Sequence, residues 1–211
     1  MLKKNYRKTS VEEVIRALVD RYNKGKFEEI IRQESELIYL YPDSITILNI
    51  FGSTNLALKN YKKAIKNFKK AIAVNPSRPE VFYNLGLSFY SDGNLEKSIE
   101  SYKKAIQLKP NYAEAYCNLG MSFFKKGDLG EAIKNYIKVI KINPIHAGAY
   151  YNLGNSYQSK DNWILATENY NKAIDLKPDF GEAYYNLGIV FFKKGYYEKS
   201  ISLLRKTIEL Q

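Results

Sequence analysis

Cysteine is almost missing from these 211 residues. The one present, Cys117, cannot form an internal disulfide, which points to a reducing compartment and an expected cytoplasmic location. Histidine is as scarce. His146 alone, in the stretch after Pro144, reads as a solvated turn residue. No Walker loop, dinucleotide fingerprint or metal-ligand spacing occurs, so neither a cofactor nor a metal is expected and the chain reads as non-enzymatic. No apolar stretch approaches the roughly 20 residues of a membrane span. The opening MLKKNYRKTSVEEV has basic residues without an apolar segment behind them, which is not the pattern of a signal peptide.

Apolar residues make up 45% of the chain and charged residues 26%, which is the balance of a folded protein. Its dominant pattern is a period. Pro42, Pro76, Pro110, Pro144 and Pro178 stand 34 residues apart, and Asn-Leu-Gly recurs with the same step at Asn84, Asn118, Asn152 and Asn186. Numbering each unit so that its proline falls at position 32 leaves an extension over 1–10 and units at 11–44, 45–78, 79–112, 113–146, 147–180 and 181–211.

Each unit reads as a helix–turn–helix. Phe82, Leu85, Gly86 and Phe89 share one face of a first helix, at positions 4, 7, 8 and 11. Ser98, Tyr102 and Ala105 share one face of a second, at positions 20, 24 and 27. A central glycine such as Gly93 closes the first helix in left-handed space. The proline ends the second. Glycine inside a helix costs about 1 kcal/mol relative to alanine, so Gly86, Gly120, Gly154 and Gly188 imply a close helix–helix approach that offsets it. No hairpin buries its apolar face alone, and stacked neighbours complete the core. Arg21 and Glu34 interrupt the apolar pattern of the first unit, as suits an end unit with one face in water. Lys59 and Asp161 replace the turn glycine, while Val139 and Thr207 replace the small residue at position 27.

These positions resemble the tetratricopeptide repeat family. In the fourth unit Tyr116, Leu119, Gly120, Phe123, Ala132, Tyr136 and Pro144 meet its pattern, and the fifth matches through Tyr150, Leu153, Gly154, Tyr157, Ala166, Tyr170, Ala173 and Pro178. The resemblance covers residues 11–211. It implies an all-α solenoid of about six hairpins, a right-handed superhelix, and a protein or peptide bound in an inner groove.

The face opposite the packed one carries the candidate site. Position 6 is Asn84, Asn118, Asn152 and Asn186. Around that row stand Tyr83, Tyr90, Phe124, Tyr151, Asn155, Tyr185 and Phe192. An amide offers a donor and an acceptor, matching both faces of a peptide bond. The row looks like the asparagine ladder of the O-linked N-acetylglucosamine transferases, which implies a grip on an extended backbone. Four hydrogen bonds at about 1 kcal/mol each give only millimolar affinity, so the flanking apolar surface must contribute to tight binding. Some repeats of this family clamp an acidic carboxylate with lysine and arginine. Here Glu80, Glu114 and Glu182 stand at position 2, so no such clamp is expected.

The net charge of +11 is uneven: residues 45–78 hold seven basic side chains and no acid. Lys59, Lys62, Lys63, Lys66, Lys69 and Lys70 fall within an arc of roughly 120° on the second helix of that unit. They read as a solvated convex face or a contact for an acidic partner or anionic lipid. No nucleic-acid motif accompanies them, and nucleic acid is not an expected partner. At the other end Ile201, Leu204 and Ile208 are spaced as one apolar stripe, an expected self-association edge or the sign of a longer protein. The first unit also resembles the opening repeat of bacterial proteins that continue into glycosyltransferase or sulfotransferase domains. That implies, as the alternative function, a substrate-recruiting arm.

Overall fold

A computed structural model describes residues 10–210, and they are helical without a strand among them. Five hairpins follow the 34-residue rhythm: α4 and α5 (Ile45–Ala57, Tyr61–Val74), α6 and α7 (Pro79–Ser91, Leu95–Leu108), α8 and α9 (Ala113–Lys126, Leu129–Ile142), α10 and α11 (Ala147–Gln158, Trp163–Leu176), and α12 and α13 (Gly181–Lys193, Tyr197–Glu209). They are preceded by α1 (Val11–Asn23), α2 (Phe27–Ile31) and α3 (Glu34–Leu40). The described residues form two compact units, one ending at Pro110 and one beginning at Asn111. Within the first, α5 packs on α4 and then on α6. Within the second, consecutive helices pack from α8 to α13.

One contact repeats through both units. The ring at position 24 of the second helix lies flat against the glycine at position 8 of the first. A methyl group at Gly52 would sit 2.5 Å from the Phe68 ring, at Gly86 2.7 Å from Tyr102, at Gly120 2.6 Å from Tyr136 and at Gly154 2.6 Å from Tyr170. Those rings are buried, with Phe68, Tyr102 and Tyr170 wholly excluded from solvent. A side chain on the glycine would push the two helices apart. In the last hairpin Leu204 takes the ring's place, its Cδ2 3.0 Å from the same hypothetical methyl. Leu204 therefore leaves the outward stripe expected of it and faces inward, half-buried, while Ile201 and Ile208 are 51% and 71% exposed.

The turns follow sequence chemistry. Gly93 and Gly127 take φ of 83° and 89°. Lys59 and Asp161, in the same place, are forced to φ of 60° and 56°, a conformation that costs an ordinary residue about 1–2 kcal/mol. Asn94, Asp128 and Asn162 then cap the second helices by accepting from the backbone three residues on.

The first unit departs from a simple hairpin. Leu18, fully buried, stands where the other units have glycine, so no ring can seat there. Position 24 is Glu34, and the second helix breaks at Arg32–Gln33 just before it. Glu34 does not serve as a solvent-facing end residue. Its carboxylate accepts from Asn55 Nδ2 at 3.1 Å and Asn67 Nδ2 at 2.5 Å, both amides buried in the next hairpin.

Replacing Gly120 by alanine is expected to destabilise the protein by about 1–3 kcal/mol, since overpacking against Tyr136 outweighs alanine's better helix propensity. The same change at Gly188 should cost less, because leucine has rotamers to retreat into. Urea unfolding of both variants measures the difference.

Candidate functional site

The seat of the glycine presents the opposite face of each first helix, where the asparagine row lies. Each Asn occupies position 6, and within each compact unit its amide reaches the first helix of the preceding hairpin. In the first unit Asn84 Nδ2 donates to Asn49 Oδ1 at 3.2 Å. In the second, Asn152 Nδ2 lies 3.9 Å from Cys117 Sγ. Asn186 Nδ2 donates to Tyr151 Oη at 3.1 Å and to Asn155 Oδ1 at 2.8 Å. The donors are thus committed to the stacking of hairpins, not held ready for a ligand as the amide chemistry alone suggests. The Oδ1 atoms of Asn84, Asn152 and Asn186 accept no hydrogen bond among the described residues, and all three side chains are half-buried. Asn118 is half-buried on α8 in the same register.

The backbone under the row is fixed by buried hydroxyls at position 10. Thr54 donates to Ile50 O, Ser88 to Asn84 O, Ser122 to Asn118 O and Ser156 to Asn152 O, each at 2.8–2.9 Å. Their 34-residue spacing is visible in the sequence, yet apolar periodicity passes over them because serine and threonine are read as polar.

The flanking residues divide by burial. Tyr83 leans on Tyr102 with ring centroids 5.9 Å apart, and Tyr151 on Tyr170 at 6.0 Å and Phe180 at 4.9 Å. These rings serve packing as well as the face. Tyr90 and Phe124 are half-buried, whereas Tyr185 and Phe192 are 50% and 54% exposed. Asn155 is the hub of a polar cluster. The Tyr170 hydroxyl, shared with Gln158 Oε1 at 2.5 Å, approaches Asn155 Oδ1 to 2.7 Å. Burial pushes the Tyr170 phenol well above its ordinary pKa, with Tyr151 nearby adding to the rise, so it stays a neutral donor throughout the physiological range.

Burial likewise raises the Cys117 thiol, against a lowering by the Asn152 amide. A protonated thiol is a poor nucleophile. His146 is a helix cap, its Nδ1 accepting from Ala149 N at 3.0 Å at the start of α10. The six lysines Lys59, Lys62, Lys63, Lys66, Lys69 and Lys70 are all exposed and none forms an ion pair among the described residues. Lys69 lies 5.8 Å from the Phe89 ring centre. Among the described residues no group of histidine, cysteine and carboxylates could hold a metal ion, and no helix is long and apolar enough to cross a membrane.

A tandem array of helical hairpins, four of them closed by a ring on a glycine and those within a compact unit joined by asparagines, is an α-solenoid of interaction repeats. Residues 52–93, 86–127, 120–161 and 162–195 match the TPR repeat family and residues 181–211 the tetratricopeptide repeat, and the chain belongs to this family. The crystal structure of MamA is 31% identical with a TM-score of 0.71, covering 75% of this chain and 93% of that one. YrrB, described as a TPR protein with an unusual peptide-binding site, is 26% identical with a TM-score of 0.72, over 86% of this chain and 94% of that one. The C-terminal part of a TPR repeat-containing protein from Cytophaga hutchinsonii, at 20% identity, shares the fold with a TM-score of 0.79 over 93% of this chain and 78% of that one. No curated protein matches the chain.

The raised thiol has a measurable consequence. Thiolate forms only as pH climbs through the folded-state pKa, so alkylation of Cys117 by iodoacetamide should reach half its maximal rate at a pH above that of a free cysteine. A midpoint at or below the free value contradicts the burial described.

Proposed function

We propose that the chain is a non-catalytic protein-interaction scaffold whose groove face holds an extended peptide or a segment of a partner protein. The observation that carries this reading is the asparagine row. The donors of Asn84, Asn152 and Asn186 are anchored to the preceding hairpin, so the half-buried Oδ1 atoms of these three are held in place with no hydrogen bond of their own among the described residues. A peptide N–H is the complementary group. Pre-oriented acceptors lose little entropy on binding, and the exposed Tyr185 and Phe192 supply the apolar area that hydrogen bonds alone lack. The peptide-binding site in the description of YrrB supports the same class of ligand.

Peptides selected from a random display library serve as the probe. The triple variant Asn118→Ala, Asn152→Ala, Tyr185→Ala spares the Asn186 cluster. It should weaken the selected peptide by about 30-fold or more, from roughly 1 kcal/mol per lost hydrogen bond plus the lost ring contact, while the thermal transition persists. Unchanged affinity in calorimetry would place the site on another face.

The C-terminal edge is a second proposed contact, for another copy of the chain. Ile201 and Ile208 are exposed beside a hollow of about 580 Å³ lined by Tyr184, Leu203 and Arg205. Since Leu204 packs on Gly188, a charge there would disrupt the hairpin itself. Ile208→Glu is the sound test. It should shift any dimer to monomer in sedimentation equilibrium without lowering helicity, and a variant that dimerises like the parent removes the edge from consideration.

A further inference from the structure

The intra-hairpin turns of the last two hairpins depart from the repeat in one direction. At position 18 the second to fourth and the sixth hairpin units carry Lys62, Glu96, Gly130 and Glu198, whereas the fifth carries Ile164, 66% exposed. At position 16 four of them carry Asn60, Asn94, Asp128 and Asn162, whereas the last carries Tyr196, 57% exposed. With tyrosine there, α13 has no side-chain cap. Neither exposure follows from standing at the end of an array. Ile164 lies in an interior hairpin, and position 16 is polar in the second to fifth units, capping the helix in three of them through Asn94, Asp128 and Asn162. Helix stability argues against both residues, so another property must account for them.

The surroundings indicate which. Trp163, beside Ile164, packs against the core cluster containing Val190 and Phe191, and Phe191 meets Tyr196 with ring centroids 6.0 Å apart. Tyr197, 60% exposed, follows Tyr196 and stacks edge-on with Phe192. The two turns meet at an open hollow of about 490 Å³ lined by Lys160, Trp163, Ile164 and Lys194. Lys193 and Lys199 stand on the same two helix ends, and Lys194 and Lys199 lie 5.8 Å over Tyr196 and 4.1 Å over Phe191. Against these four lysines are two carboxylates, Asp161 and Glu198, and none of the six forms an ion pair among the described residues.

We propose that this turn surface docks on an anionic lipid bilayer, with Ile164, Tyr196 and Tyr197 entering the interface and the lysines facing lipid headgroups. Composition decides between a bilayer and a protein partner. Protein interfaces are enriched in aromatic residues and arginine and depleted of lysine. This surface has aromatic residues with lysine and no arginine. Tryptophan and tyrosine settle at headgroup depth, and lysine is attracted to anionic lipid without needing a shaped acceptor. The apolar residues and the charges together supply the two signals that stable surface attachment needs.

Trp163 is the chain's only tryptophan, so its fluorescence reads the site directly. Vesicles of equimolar phosphatidylcholine and phosphatidylserine should shift its emission to the blue, and brominated acyl chains should quench it. Vesicles of phosphatidylcholine alone should do neither. The variant Ile164→Ser, Tyr196→Asn restores the polar turn pattern, and its thermal transition, compared with the parent's, reports the loss of the Tyr196–Phe191 contact separately from binding. It should bind anionic vesicles about tenfold more weakly in sedimentation, and Lys160→Glu, Lys194→Glu should do the same. The proposal is overturned by a silent tryptophan with anionic vesicles, by unchanged binding in these variants, or by binding lost only on charge reversal at Lys62, Lys66 and Lys69. A shift produced by a poly-glutamate peptide but not by vesicles would also overturn it, in favour of an acidic protein.

Discussion

Everything else in this chain depends on how closely the two helices of a hairpin approach, and that distance is set by an aromatic ring resting on a glycine. With no side chain at Gly86, Gly120 or Gly154, the faces of Tyr102, Tyr136 and Tyr170 fill the gap that a β-carbon would occupy. Dispersion falls off steeply with separation, so a ring in flat contact stabilises far more than one held an ångström away. The contact also fixes which face of the first helix is left over. That face carries the asparagines, of which Asn84, Asn152 and Asn186 reach the preceding hairpin of their own unit. The first unit shows what happens without the pair. Leu18 stands in place of the glycine, Glu34 in place of the ring, and the second helix divides at Arg32–Gln33.

Polar groups link hairpins where apolar packing cannot specify register. Asn84 to Asn49, and Asn186 to Tyr151 and Asn155, each join residues 31 to 35 apart in sequence. Glu34 does the same through Asn55 and Asn67. A buried polar group without its partner costs about 1–3 kcal/mol, so a slipped hairpin is penalised at each of these joints. In the proposed reading, binding and stacking are coupled on one surface: the amide that orders the array also orients the carbonyl oxygen a peptide would meet.

Much of this was legible in the sequence. The 34-residue step of Pro76, Pro110 and Pro144 marks the hairpins, and the pairing of Gly86 with a close second helix follows from the cost of a helical glycine. The left-handed turns at Lys59 and Asp161 sit where the period puts them. Three features were not legible, each for a physical reason. Spacing assigns Asn186 to a face but says nothing of the distance to Asn155, so its donor looked available when it is bonded. Helical periodicity grouped Leu204 with Ile201 and Ile208, because a single helix cannot show that Gly188 on another helix leaves room for it. Glu34 looked like a solvent-facing end residue because its partners, Asn55 and Asn67, lie in the next hairpin.

The ring-on-glycine contact is tested most directly by a double-mutant cycle joining Gly120→Ala and Tyr136→Leu, the latter reproducing the Leu204 arrangement of the last hairpin. The substitutions touch one another, so their effects must couple. Urea unfolding should show the alanine costing markedly less once leucine has replaced the ring, with an interaction energy of at least about 1 kcal/mol. Costs that simply add would mean that Gly120 and Tyr136 act independently, and that something other than this contact sets the spacing of the hairpin.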